Sequence, residues 1–119
     1  MIPTYKRFAK LCRCIESIFH QTHQDFDIYV IFDNSNYRTY ERLEKKYKEQ
    51  INYNVLKNQN YVIGIWNWFT KNHFYEIPES MIWLCDDTEL YPNCLEELNK
   101  FYTKHFPYLD GVIGIKQEV

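Results

Sequence analysis

Apolar positions along this chain switch between two periods. Phe8, Leu11, Cys12, Ile15, Ile18 and Phe19 recur every three or four residues and fall on one helical face. That helix is expected to end near Gln21. Asp27-Ile-Tyr-Val-Ile-Phe-Asp33 is a continuous β-branched and aromatic run and reads as a buried strand. Asn34-Ser-Asn36 interrupts it and can cap a helix expected over Tyr37 to Gln50. Ile51 to Leu56 reads as a second strand, followed by the polar loop Lys57-Asn-Gln-Asn60. Val62 to His73 is expected to be helical, with Ile63, Trp66 and Phe69 turned inward. Met81 to Cys85 is a short apolar run and reads as another buried strand. Pro92-Asn93 opens a helix to about Lys104, its stripe formed by Cys94, Leu95, Leu98, Phe101 and Tyr102. Gly111-Val-Ile-Gly-Ile115 is the last expected strand.

Alternation of helix and strand predicts an α/β fold, a mostly parallel sheet with helices on both faces. At 119 residues the chain is one domain at most, large enough for a single core. No repeat, linker or low-complexity tract divides it.

Composition mainly excludes. A net charge of −2 gives no electrostatic case for nucleic acid. The Lys45-Lys46-Tyr47-Lys48 cluster is flanked by Glu41, Glu44 and Glu49 and reads as a solvated helix face. Tyr61 to Phe69, the longest apolar stretch, is too short to span a bilayer, so no transmembrane segment is expected. Charges at Lys6, Arg7, Lys10, Arg13 and Glu16 leave no room for a signal-peptide core, and a cytoplasmic location is the default expectation. Cys12, Cys14, Cys85 and Cys94 contain no Cys-x-x-Cys and are expected to be buried free thiols. His20 and His23 have no partners that would complete a metal site. With three glycines, the Walker loop and G-x-G-x-x-G fingerprints are absent.

The chemistry concentrates at Met81-Ile-Trp-Leu-Cys-Asp-Asp-Thr-Glu-Leu-Tyr-Pro92, where the apolar run meets two adjacent acids, Asp86 and Asp87. In open α/β sheets ligands sit outside the carboxyl ends of strands. Carboxylate oxygens there suit Mg²⁺ or Mn²⁺ shared with a substrate's phosphates. The plainer alternative is a turn whose acids are structural.

Several segments carry a resemblance to a known family. Ile2-Pro-Thr-Tyr-Lys-Arg7 resembles a P-T-Y-x-R opening at the end of a first strand. Cys14-Ile-Glu-Ser-Ile-Phe-His-Gln-Thr22 resembles a C-L-x-S-I-x-x-Q-T helix end, and Asp25 to Asp33 a D-F-E-I-I-V-V-D strand. Trp83-Leu-Cys-Asp-Asp87 resembles a strand bearing a D-x-D-type metal motif, and Tyr91 to Leu98 a P-x-x-L-E-x-L helix. Gly111-Val-Ile-Gly114 is similar to the strand after it. In this order the segments resemble the N-terminal, nucleotide-sugar-binding half of family 2 glycosyltransferases, which have the GT-A (Rossmann-like) fold.

That resemblance implies roles. Pro3 and Tyr5 would line the base pocket. Asp33 would accept a hydrogen bond from an N–H edge of a nucleobase such as uracil or guanine. Asp86 would lie near the ribose and diphosphate, and Asp87 would be the more direct ligand to Mn²⁺ or Mg²⁺. Asn60 is a further nucleotide-side candidate, although Asn60, Gly64 and Asn67 depart from the family's Asn-x-Gly…Arg-Asn spacing. Cys85 stands where many members carry a third acid. The implied partners are a UDP- or GDP-sugar donor and a hydroxyl-bearing acceptor. The family's general base belongs to an acceptor-binding half, and Glu118 is not assigned to that role, so the catalytic residues stay unknown. Relative to the full family fold, residues 1–119 are expected to be truncated at both ends. Further apolar residues upstream, or a second chain in a homo-oligomer, are expected to complement the first strand. The alternative is a non-catalytic domain, truncated or degenerate, that binds nucleotide or a partner chain.

Overall fold

The computed structural model describes residues 1–76 and 80–105. Three strands form a parallel sheet in the order β1 (Ile2–Thr4), β2 (Tyr29–Phe32), β3 (Asn52–Val55). Ile2 pairs with Val30, and Val30 with Tyr53. Between the strands run α1 (Phe8–Phe19) and α2 (Tyr37–Tyr47), and after them α3 (Tyr61–His73) and α4 (Cys94–His105). The expected α/β architecture is therefore present. The predicted strand at Gly111–Ile115, like Glu118, lies outside the described residues.

Alternation along β2 divides the core into two layers. Val30 and Phe32 pack with Leu11, Ile15 and Ile18 of α1 and Leu43 and Tyr47 of α2. Ile31 packs with Leu56, and with Ile65 and Phe69 of α3, on the opposite face. Helices thus cover both faces, which is what a parallel sheet requires. Phe32 is fully buried. Removing a ring of that kind from a core costs about 3–5 kcal/mol.

Four expectations need correction. First, Ile63 is not inward: it is 70% exposed, and the buried stripe of α3 is Ile65 and Phe69. The helix is phased by its start, where Asn60 and Tyr61 are held by Asp33. That phase turns Ile65 and Phe69, four apart, onto Ile31. Second, Phe101 is 48% exposed and Leu95 is the buried member of the α4 stripe, while of the thiols expected to be buried Cys94 is half-buried and Cys85 exposed, because Cys85 lies in a segment that is not a regular strand. Third, α2 stops at Tyr47, and Lys48 takes a left-handed φ of 49° before a short 3₁₀ turn to Gln50. Asn36 supplies no side-chain cap to α2, because its Oδ1 accepts from the Thr39 hydroxyl at 3.1 Å.

Fourth, Met81–Cys85 does not form a regular strand. It lies on the other side of β1 from β2, where Met1 N donates to Ile82 O at 2.8 Å and Leu84 N to Met1 O at 3.0 Å. Those are two bonds of a parallel ladder. Backbone groups along β1 point alternately to its two neighbours. Thr4 O accepts from Asp33 N, on the β2 side. Pro3 therefore faces the 81–85 segment, and it has no N–H to give.

Candidate functional site

Beyond its two ladder bonds to Met1, the segment that carries the acids is held from the α1 side. Cys14 Sγ donates to Cys85 O at 3.7 Å, and Ser17 Oγ accepts from Leu90 N at 3.0 Å. Gln21, just past the end of α1, donates to Tyr91 O at 2.7 Å and accepts from Leu95 N at 2.9 Å, so it caps the start of α4 from a distant segment. Thr22 N donates to Pro92 O at 2.8 Å. Residues on α1 and just past its end thus fix the approach to and exit from Asp86-Asp87.

The acids meet β1 at its carboxyl end. Thr4 Oγ1 donates to Asp86 Oδ2 at 2.8 Å in a buried contact. Arg7 Nη1 donates to Asp86 Oδ1 at 3.3 Å and lies 3.9 Å from Asp87 Oδ2. The Asp86 side chain is 9% exposed and that of Asp87 46%. One acid is an anchored group in the rim, and its neighbour faces solvent. Burial pushes the Cys14 thiol up to about 12, and the charges of Asp86 and Asp87 add to that rise.

Asp33 occupies the matching position on β2. Its backbone N–H donates to Thr4 O, so Thr4 touches both Asp33 and Asp86. The Asp33 carboxylate is buried and accepts from the backbone of Asn60 at 3.0 and 3.1 Å, from Asn60 Nδ2 at 3.1 Å and from Tyr61 N at 2.9 Å. It caps α3 from a distance in sequence, where negative charge meets the positive end of the helix dipole. Ser35 and Asn34 clasp the loop after β3 through Leu56 O and Asn58 O.

Backbone strain gathers at the same rim. Lys6, Asn34, Ser35 and Tyr61 take left-handed φ values of 57°, 51°, 54° and 59°. A bulky residue such as Tyr61 adopts that region only at a cost that surrounding contacts must cover. Here the Asp33 carboxylate holds Tyr61 N–H. Gly64 matches this start, since a Cβ there would come within 3.0 Å of Asn60 Cβ.

The residues expected at a nucleotide site are distributed as follows. Asp33, Asn60 and Asp86 converge on the rim, joined through Thr4 and one another. Tyr5 is half-exposed beside them, with the Lys6 ammonium 5.0 Å from its ring centre. Pro3 is buried inside β1, paired with Ile31, one residue below the rim. Asp87 stands at the surface next to Asp86. The sequence reading assigned no role to Thr4 or Arg7. Both lie within the Ile2–Arg7 motif, and a hydroxyl and a base flanking a strand end were the signal available.

The donor set fits a divalent cation shared with a ligand. Asp86 and Asp87 are hard oxygen donors, and a positive group, the Arg7 guanidinium, already sits against both. Among the described residues no cluster of three or more His, Cys, Asp and Glu is arranged to hold a metal by itself. A cavity of about 910 Å³ lies elsewhere. It is lined by Tyr29, His73 and Glu76 at the amino ends of the strands. Among the described residues no helix is long and apolar enough to cross a membrane.

Comparison with known protein families matches residues 1–119 to the model of Glycosyl transferase family 2. No curated protein matches the chain. The match spans the whole sequence, and the chain belongs to glycosyl transferase family 2.

Proposed function

We propose that this family 2 chain binds a UDP- or GDP-sugar across the carboxyl ends of β1 and β2, for transfer of the sugar to an acceptor hydroxyl. The observation that carries the reading is the convergence of Asp86, Asp87 and Arg7 at the end of β1, next to Asp33 at the end of β2. Asp87, with Asp86 behind it, would hold Mn²⁺ or Mg²⁺, and phosphate oxygens of the donor would complete the coordination. When bound, the ion would act as a Lewis acid toward the leaving nucleoside diphosphate.

The remaining roles follow from what each side chain already touches. Thr4 keeps the Asp86 carboxylate oriented. Tyr5 offers a half-exposed ring to the base, with Pro3 beneath it. Asp33 fixes Asn60 and Tyr61, so the wall of the base pocket is preorganised. A base N–H that reached Asp33 would share its oxygens with these amides, since a carboxylate has about four acceptor positions.

Calorimetry with UDP and GDP tests the reading. Binding should require Mn²⁺ or Mg²⁺ and disappear with chelator. Equal affinity in both conditions would overturn the metal role. Incubation with UDP- and GDP-sugars then separates the alternatives. Donor hydrolysis or transfer supports an enzyme, and binding without either selects the non-catalytic nucleotide-binding reading.

A further inference from the structure

Arg7 has a place in this site that its sequence position alone does not explain. It is the residue before α1, and its carbonyl accepts from Leu11 N at 2.8 Å, so its backbone is tied into the first turn of the helix. Lys6 just before it is held in the left-handed region at φ 57°. The strained link and the helix start together aim the guanidinium across the chain to Asp86, 3.3 Å away, and Asp87, 3.9 Å away. The contacts are long for charge-assisted bonds, which run at about 2.7–2.9 Å. The Arg7 side chain is also 54% exposed. It is a loosely held positive charge over an acid that a second, shorter bond from Thr4 also holds, at 2.8 Å.

We infer that Arg7 is the internal counter-ion of the Asp86-Asp87 pair, displaced by the divalent ion and then turned toward the diphosphate that arrives with it. This rests on reading the pair as a metal site. Two adjacent carboxylates repel one another, and a guanidinium against both offsets that repulsion while the ion is absent. Arg7 lies against the oxygens that would hold a dication, and its positive charge would be repelled once they did. The freed guanidinium lies at the rim beside the site, and a planar fork suits phosphate oxygens. Arg7 would be a positioning residue for the acids in one state and a ligand-binding residue in the other.

Mn²⁺ binding to the full chain, followed by electron paramagnetic resonance without nucleotide, tests the first half. Arg7→Gln should bind Mn²⁺ about thirtyfold more tightly than the wild type, the effect of removing one unit charge about 4 Å from a doubly charged ion through water. Arg7→Lys keeps the charge and should stay close to the wild type. A purely structural role for Arg7 would not raise Mn²⁺ affinity on its removal. Affinity in Arg7→Gln equal to or below wild type would overturn the inference, as would an Arg7→Lys increase as large as that of Arg7→Gln. In either case the metal reading survives, since Mn²⁺ is bound. Absence of Mn²⁺ binding in the wild type and both variants without nucleotide would overturn this half of the inference, and its absence with UDP or GDP present as well would end the metal reading and the inference with it. The second half is read at saturating Mn²⁺ with UDP and GDP. Arg7→Gln should lose about tenfold in nucleotide affinity, the scale of a hydrogen bond to a charged group. Unchanged affinity would overturn that half.

Discussion

Thr4 and Asp86 are 82 positions apart in sequence, yet Thr4 Oγ1 donates to Asp86 Oδ2 at 2.8 Å in a buried contact. The bond joins the end of β1 to the acid segment that α1 holds alongside. It also leaves Asp87 as the freer of the two acids, because the adjacent side chain is committed inward. Thr4 reaches Asp33 as well, through its carbonyl. One hydroxyl-bearing residue thus sets the spacing between the two halves of the rim.

Thr4→Val tests this bond. Valine keeps the shape and β-branching but leaves a buried carboxylate oxygen without its donor. A loss of about 1–3 kcal/mol is expected in urea unfolding. Thr4→Ser should recover most of it.

Asp33 is expected to matter to the fold before it matters to any ligand. Asp33→Ala removes the acceptor for the Asn60 and Tyr61 amides and for Asn60 Nδ2. Stability should fall by about 2–3 kcal/mol, the range for bonds to a charged group. Faster hydrogen exchange in the first turn of α3 would locate the effect. Undisturbed exchange there would show that the cap is not needed.

The two neighbouring acids should respond differently to the same substitution. Asp87→Asn should weaken Mn²⁺-dependent nucleotide binding strongly and leave thermal unfolding unchanged, because Asp87 is 46% exposed and its ion pair with Arg7 is long, at 3.9 Å. Asp86→Asn should also lower the unfolding temperature, because the buried Asp86 pairs with Thr4 and Arg7. Equal effects on unfolding would contradict the division of roles.

Alkaline stability should depend on Cys14. Burial raises this thiol from its ordinary 9.0 to about 12. The folded chain therefore keeps the proton where the unfolded chain has lost it. Its contribution is complete below pH 9.0 and declines as pH rises toward about 12. Burial also raises Tyr53 to about 12, acting in the same direction from pH 10.0 upward. Unfolding followed between pH 8 and 11 should give a shallower decline for Cys14→Ala than for the wild type, whatever the variant's baseline. Parallel slopes would assign the loss to the tyrosines instead.

Much of this protein was legible in its sequence, because the relevant physics is local. The spacing of Leu11, Ile15 and Ile18 specifies one face of a helix, and the observed Phe8–Phe19 helix follows it. The apolar run through Val30 and Phe32 specifies a strand buried on both faces. The placement of Asp33 at the exit of β2 was readable too, since polar residues that follow an apolar run fall at its exit, whereas Asp86 follows a run that is not a regular strand and reaches the end of β1 through Thr4. What the sequence could not settle was which distant partner each group would take. The phase of α3 was misread at Ile63 because it depends on the Asp33 cap, a contact 27 or 28 residues long in sequence. The ladder expected over Met81–Cys85 fails for a reason of register. Parity along β1 turns the missing N–H of Pro3 toward that segment, and only assembly of the sheet decides the parity. The roles of Thr4 and Arg7 arise in the same way. Each is an ordinary residue in its own segment, and each acquires a function only when folding brings Asp86 and Asp87 beside it.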